Sequence, residues 1–308
     1  QGATDLVKSV LDSLQSFIAW APLNLVIQPA HIDILFKFVL LNDATSCLAL
    51  DNLNEMLERN FVPVELAAFL VQLHGASLTL LAKMVKDPAA MANLDSNYLE
   101  KWTQFLNLFV QYHLRRDDSV NFSDFLMLFA KYTFNQPSAE GFLDCLDIWE
   151  VILTLLQNMA SIEPFGEVVC EFTNELMRVI QFRHNAEQLS KLDATATTDE
   201  TALTDDEESS ELDMHLNSAL TVISLAYSLY PEALLPHMMA KVMEPINDFS
   251  NIHTILALPQ MTDDQVNGVY FVLRDTNTVI RAIALIGSQF TQYFDATFNE
   301  ALTLIRTL

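Results

Sequence analysis

Apolar residues recur along this chain with the 3.6-residue period of an α-helix, and almost nowhere with the strict alternation of a strand. Leu6, Val10, Leu14, Phe17 and Ile18 share one side of a helix that Trp20-Ala21-Pro22 closes, because proline disfavours α geometry in the residue before it. Phe142, Leu146, Trp149, Ile152, Leu153 and Leu156 make a second apolar face, and Val272, Val279, Ile280, Ile283, Ile286, Phe290 and Phe294 a third. Pro22, Pro63, Pro88, Pro137, Pro164 and Pro231 fall between such runs or at their starts, where the missing N–H is tolerated. The expected fold class is all-α.

The helices group in pairs at 3–41, 43–86, 95–134, 138–189, 211–245 and 264–308. Their starts lie roughly 40, 52, 43, 73 and 53 residues apart, and four of these spacings sit near the HEAT and armadillo unit. Stacked pairs bury a continuous core between neighbours, which suits a chain that is 51% hydrophobic with only 6 glycines. The predicted architecture is an α-α superhelix, a HEAT-repeat solenoid of about six helix pairs spanning 1–308. A single globular bundle of the same helices is the alternative. No sequence identity is visible between the units, so period and punctuation carry the repeat reading.

The long spacing contains the one segment without a helical pattern, an acidic insert at 190–213 that is expected to be flexible. Asp193 to Asp213 holds Asp193, Asp199, Glu200, Asp205, Asp206, Glu207, Glu208, Glu211 and Asp213, with no Lys or Arg. Seven threonines and serines fill much of the rest. Such a stretch repels itself and has little apolar surface to offset the entropy of ordering. Two roles fit it: a solvated spacer that keeps the molecule soluble, or an electrostatic contact for a basic partner. Thr204 precedes Asp205, Asp206 and Glu207, so acid-directed phosphorylation there is a further expectation.

Charge and motif content narrow the function. With 40 acidic against 16 basic residues the net charge is −24, which disfavours nucleic acid and anionic membranes and favours partners with basic faces. Cys47, Cys145 and Cys170 are far apart with no C-x-x-C, so buried reduced thiols are expected rather than disulfides or zinc. The longest apolar tract, Leu66 to Ala82, carries Gln72 and His74 and reads as a buried helix rather than a membrane span. No phosphate-cradling, dinucleotide, serine-hydrolase or H-E-x-x-H motif occurs, and His31, His74, His113, His184, His215, His237 and His253 are scattered singly. A non-enzymatic protein without cofactor or metal is the expectation. The chain opens on Gln1 and stops in mid-pattern at Leu308, which reads as a piece of a longer protein.

Two segments and the C-terminal third carry a resemblance. Leu11 to Pro22, LDSLQSFIAWAP, followed by Leu23, resembles the helix ending in W-x-P-L of exportins in the importin-β (karyopherin) superfamily. Gly141 to Thr154, GFLDCLDIWEVILT, is similar to the exportin helix built around C-L-x-x-W, here Cys145, Leu146 and Trp149. The C-terminal third, with Leu203–Glu208, Leu273–Asp275 and Phe298–Thr303, resembles the branch of exportins that carries actin–profilin complexes. The resemblance implies a nuclear export receptor that binds Ran-GTP and protein cargo cooperatively, touches nucleoporins, and shuttles between nucleus and cytoplasm. It also implies that Asp205, Asp206, Glu207, Glu208, Glu211 and Asp213 form a Ran-contacting acidic loop, a match by composition and place rather than by ordered motif. Two other classes stay open, a HEAT scaffold without Ran dependence and an all-α enzyme with an unmarked site.

Overall fold

The computed structural model describes residues 2–22, 25, 27–59, 67–114, 122–194, 210–256, 260–292, 302 and 306. Among these there are thirteen α-helices and no strand. They are α1 (Gly2–Ile18), α2 (Pro29–Val39), α3 (Ser46–Glu58), α4 (Ala67–Lys86), α5 (Pro88–Ala92), α6 (Ser96–Tyr112) and α7 (Phe122–Phe134). After them come α8 (Ala139–Gln157), α9 (Gly166–Val179), α10 (Phe182–Ala194), α11 (Glu211–Leu229), α12 (Pro231–Leu256) and α13 (Asp263–Gln292). Local chemistry sets several starts. Pro29, Pro88 and Pro231 open their helices, and the side chains of Asp87, Asp95 and Ser210 accept an orphan amide at the first turns of α5, α6 and α11.

The chain forms two compact units, Gln1–Ile152 and Leu153–Leu308, which divide within α8. In the first unit the first helices of successive pairs stack, α1 on α3 and α3 on α6. The second helices stack likewise, α2 on α4 and α4 on α7. This is the packing of an all-α helix-pair repeat, as the periodicity predicts. An aromatic column runs through it from Phe36 against Phe105, with ring centroids 5.9 Å apart, by way of Trp102, Phe109, Phe125 and Phe129 to Trp149 at 5.6 Å. Each such pair adds about 0.5–1.5 kcal/mol beyond its buried area. Polar pegs fix the register. Asn52 donates to the carbonyls of Leu11 and Leu48, Arg59 to those of Ile18 and Ala21 at the C-terminus of α1, and Tyr98 to Val39.

In the second unit α9 packs on α10, α11 and α12, while α13 packs on the same three. Helix α12 runs unbroken through Pro236 and Pro245. Each proline removes a helical hydrogen bond at a cost of about 3 kcal/mol; the burial of Leu234, Leu235, Met238, Met239, Val242 and Ile246 offsets it.

Several expectations need revision. The C-L-x-x-W face is fully in the core, with all six of its apolar residues buried. The α1 face is not. Leu11 and Ile18 are buried, whereas Leu6, Val10 and Phe17 are 65%, 56% and 53% exposed, because Asn52 and Arg59 of the neighbouring pair dock on the Leu11 and Ile18 side. On α13, Val279 and Ile286 are buried but Ile280 is exposed, and the buried face also carries Asp275, Thr276 and Thr278. The stretch 138–189 holds α8, α9 and most of α10 instead of one pair, and α12 extends beyond 245 to Leu256. Pro63, Phe294 and Phe298–Thr303, apart from the helical backbone at Leu302, lie outside the described residues.

Candidate functional site: the roots of the acidic segment

The acidic insert joins α10 to α11, and helix takes more of it than the composition suggests. Helix α10 continues to Ala194 and α11 begins at Glu211, so Asp193, Glu211 and Asp213 are helical. Asp205, Asp206, Glu207, Glu208 and Thr204 lie outside the described residues. Glu211 is exposed in the first turn of α11, where a carboxylate complements the helix dipole. Asp213 is already engaged. Its amide donates to Ser210 Oγ at 3.1 Å, the Ser210 hydroxyl donates back to its carboxylate at 2.9 Å, and Arg281 Nη1 lies 3.3 Å from Oδ1.

Both roots of the segment meet one helix. At the end of α10, Asp193 accepts from Arg274 Nη2 at 2.5 Å and from the hydroxyl of Tyr270. Arg274 also donates to the Tyr270 hydroxyl through Nε at 2.7 Å and lies over its ring, 5.2 Å from the centroid. At the start of α11, Arg281 holds Asp213 and, through Nη2, Asn217 Oδ1 at 2.5 Å. Arg274 and Arg281 are seven positions apart on α13, about two turns, and so lie on one side of it.

Between these arginines sits Asp275, 2% exposed. Its two carboxylate oxygens accept the amides of Phe182 and Arg183, the first N–H groups of α10, at 2.5 and 3.0 Å. A side chain from another helix thus does the work of a cap. Burial pushes its pKa from 3.8 up to about 6, against the pull of the two amides and of Arg183. Arg183 in turn reaches Glu244 and Asp248 on α12, at 3.2 and 2.7 Å. Of this network, the sequence pointed to Asp193, Asp213 and the Leu273-Arg274-Asp275 triplet; the partners Arg183 and Arg281 carried no pattern of their own.

A second acidic feature belongs to the first unit. A groove of about 310 Å³ is lined by Glu100, Thr103, Gln104 and Asn107 of α6 with Asp144 and Asp147 of α8. Burial, then the neighbouring Glu140, Asp147 and Glu100, raise the pKa of Asp144, and burial raises that of Asp147. The sequence reading singled out neither aspartate, although both flank Cys145-Leu146 within the C-L-x-x-W helix. Cys145 itself is buried and its thiol is pushed far up by desolvation; Cys47 and Cys170 are raised for the same reason, so none is set up as a nucleophile. Among the described residues no group of three or more metal-ligating side chains converges, and no helix is long and apolar enough to cross a membrane.

No family model and no solved structure matches the chain. Curated proteins do match. It is 29% identical to Exportin-6-A of Xenopus laevis, over 97% of its own length and 31% of that protein's. It is likewise 29% identical to Exportin-6 of Mus musculus, over 97% of this chain and 30% of the relative. Against Exportin-6 of Dictyostelium discoideum the identity is 28%, over 99% and 30%. The chain therefore spans less than a third of the length of these relatives. The exportin resemblance read from Trp20, Cys145, Leu146 and Trp149 extends, as similarity to exportin-6 proteins, over nearly the whole chain.

Proposed function

We propose that this chain is a segment of a nuclear export receptor, a karyopherin that binds protein cargo together with Ran-GTP and shuttles between nucleus and cytoplasm. The observation that supports it is similarity to exportin-6 proteins over 97% of the chain, with the acidic insert and the C-L-x-x-W helix inside the aligned length. The favoured cargo is actin–profilin, and nucleoporins are further partners. The acids of the insert, Asp205, Asp206, Glu207, Glu208 and Glu211, are the contact for Ran; the sixth candidate, Asp213, supports them from its pairing with Arg281.

The physics of such a receptor is linkage. Each ligand raises the affinity of the other by biasing one conformational equilibrium, with coupling of about 1–3 kcal/mol, and loss of the γ-phosphate on Ran removes that bias. Hydrolysis belongs to Ran, since the chain carries no phosphate-cradling motif.

Capture of the intact protein on Ran loaded with GTP or with GDP, with and without actin–profilin, tests the proposal. Export requires retention on Ran-GTP that actin–profilin strengthens. Equal retention in both nucleotide states identifies instead a helical scaffold that does not respond to Ran.

A further inference from the structure

The chain has only 16 Lys and Arg against 40 acids, yet α13 commits Arg274 and Arg281 to the two roots of its most acidic segment. We infer that these two arginines are positioning residues, a clasp that fixes the spacing and direction of the two roots, Asp193 and Asp213, and that binding of a partner to the acidic segment depends on it. The inference rests on the proposed role of that segment as the contact for a basic face of Ran-GTP.

The geometry is specific. The Arg274–Asp193 pair is 36% and 19% exposed, so it is less screened than a free surface pair. It is shared with Tyr270, which fixes the guanidinium by a hydrogen bond and by its ring. Arg281 binds Asp213 and Asn217, one helical turn apart, and so holds the first turns of α11 as well as its charge. Between the arginines, Asp275 holds the opposite end of α10 by its first amides. Helix α13 thus grips the chain on both sides of the kink at Asn185 in α10, at Phe182 and Arg183 and again at Asp193, and holds α11 at its start. A partner that docks on the segment meets roots already ordered, and so loses less conformational freedom on binding.

This makes a prediction opposite in sign to simple electrostatics. Arg274→Gln with Arg281→Gln makes the chain more acidic by two charges, which on charge alone tightens binding to a basic partner. A clasp demands weaker binding, through a lower population of the competent arrangement. The experiment has two readouts on the intact protein. In hydrogen exchange without partner, amides of 190–194 and 211–217 exchange at least roughly ten-fold faster in the double variant, while those of α3 and α6 are unchanged. In titration with Ran-GTP, the double variant binds at least several-fold more weakly; Arg274→Gln alone gives a smaller loss of both kinds, most of which the charge-swapped pair Arg274→Asp with Asp193→Arg avoids. Unchanged exchange at the roots overturns the clasp whatever Ran does. Faster exchange with equal or tighter Ran-GTP binding overturns its role in partner binding. If the wild-type protein ignores the nucleotide on Ran, the export proposal fails, and the exchange arm still decides whether the clasp exists.

Discussion

The carboxylate of Asp275 takes the amide of Phe182 at 2.5 Å although ninety-three positions separate them, and with the amide of Arg183 at 3.0 Å it caps α10 from another helix. Asparagine keeps the shape of aspartate but offers one acceptor and a donor that faces a second N–H. Asp275→Asn is therefore expected to cost about 1–3 kcal/mol, the range for a buried hydrogen-bonding group left unpaired. Urea unfolding followed at a probe in the second unit checks this through a lower midpoint at unchanged slope.

Two buried groups give opposite pH signs. The raised pKa of Asp275, about 6 in the fold, means its contribution is fully present below the ordinary carboxylate range and is lost as pH rises through about 6. His215 is lowered by burial from 6.5 to about 4, so its contribution is present above 6.5 and is lost as pH falls through about 4. At about 1.4 kcal/mol per unit, each amounts to something on the order of 3 kcal/mol, and between pH 4 and 6.5 they nearly cancel. Relative to wild type, His215→Gln gains stability over that window as pH falls, and Asp275→Asn loses it. Chemical unfolding of the three proteins at pH 7 and 4.5 measures both differences, with the remaining carboxylates common to all.

Thr133 is the polar partner of the C-L-x-x-W core. It accepts from the indole Nε1 of Trp149 at 3.1 Å and donates to the carbonyl of Phe129 at 2.9 Å. Thr133→Val deletes the indole bond without opening a cavity and should cost about 1–3 kcal/mol. Trp149→Ala removes the end of the aromatic column and should cost about 3–5 kcal/mol. Combining Thr133→Val with Trp149→Phe is expected to cost less than the sum of the single changes, which a double-mutant cycle reads directly.

The three thiols give a chemical test of the core. Burial raises all three, and Cys145 alone is completely enclosed. At neutral pH, Cys47 and Cys170 should alkylate more slowly than an unfolded-chain cysteine, and Cys145 only at the rate of unfolding. Time-resolved mass spectrometry of the labelled peptides checks the order.

Periodicity carried the fold because burial in a helix-pair repeat is local: each pair meets its neighbours, and the face from Phe142 to Leu156 reads as core without knowledge of distant chain. It failed on α1, where an apolar stripe equal in quality, Leu6-Val10-Phe17, is exposed. Which side turns inward there is decided by Asn52 and Arg59, about forty residues away, and no local pattern encodes that choice. Pro236 and Pro245 lie inside α12, where packing on α9 and α13 carries the helix through them. At the acidic segment, composition showed the charge and not its pairing. Asp193 and Asp213 look like their neighbours in sequence and differ only in having Arg274 and Arg281 opposite them.

The most direct measurement is the affinity of the intact protein for Ran-GTP by calorimetry, with and without saturating actin–profilin, and for Ran-GDP as the reference. A nuclear export receptor for this cargo binds Ran-GTP, and tightens on it roughly 5- to 150-fold when cargo is present, the range that coupled sites usually show. Substitution of Asp205, Asp206, Glu207, Glu208 and Glu211 by Asn and Gln should abolish most of that affinity. Binding of Ran-GTP and Ran-GDP with equal affinity, or an affinity for Ran-GTP that cargo leaves unchanged, contradicts it.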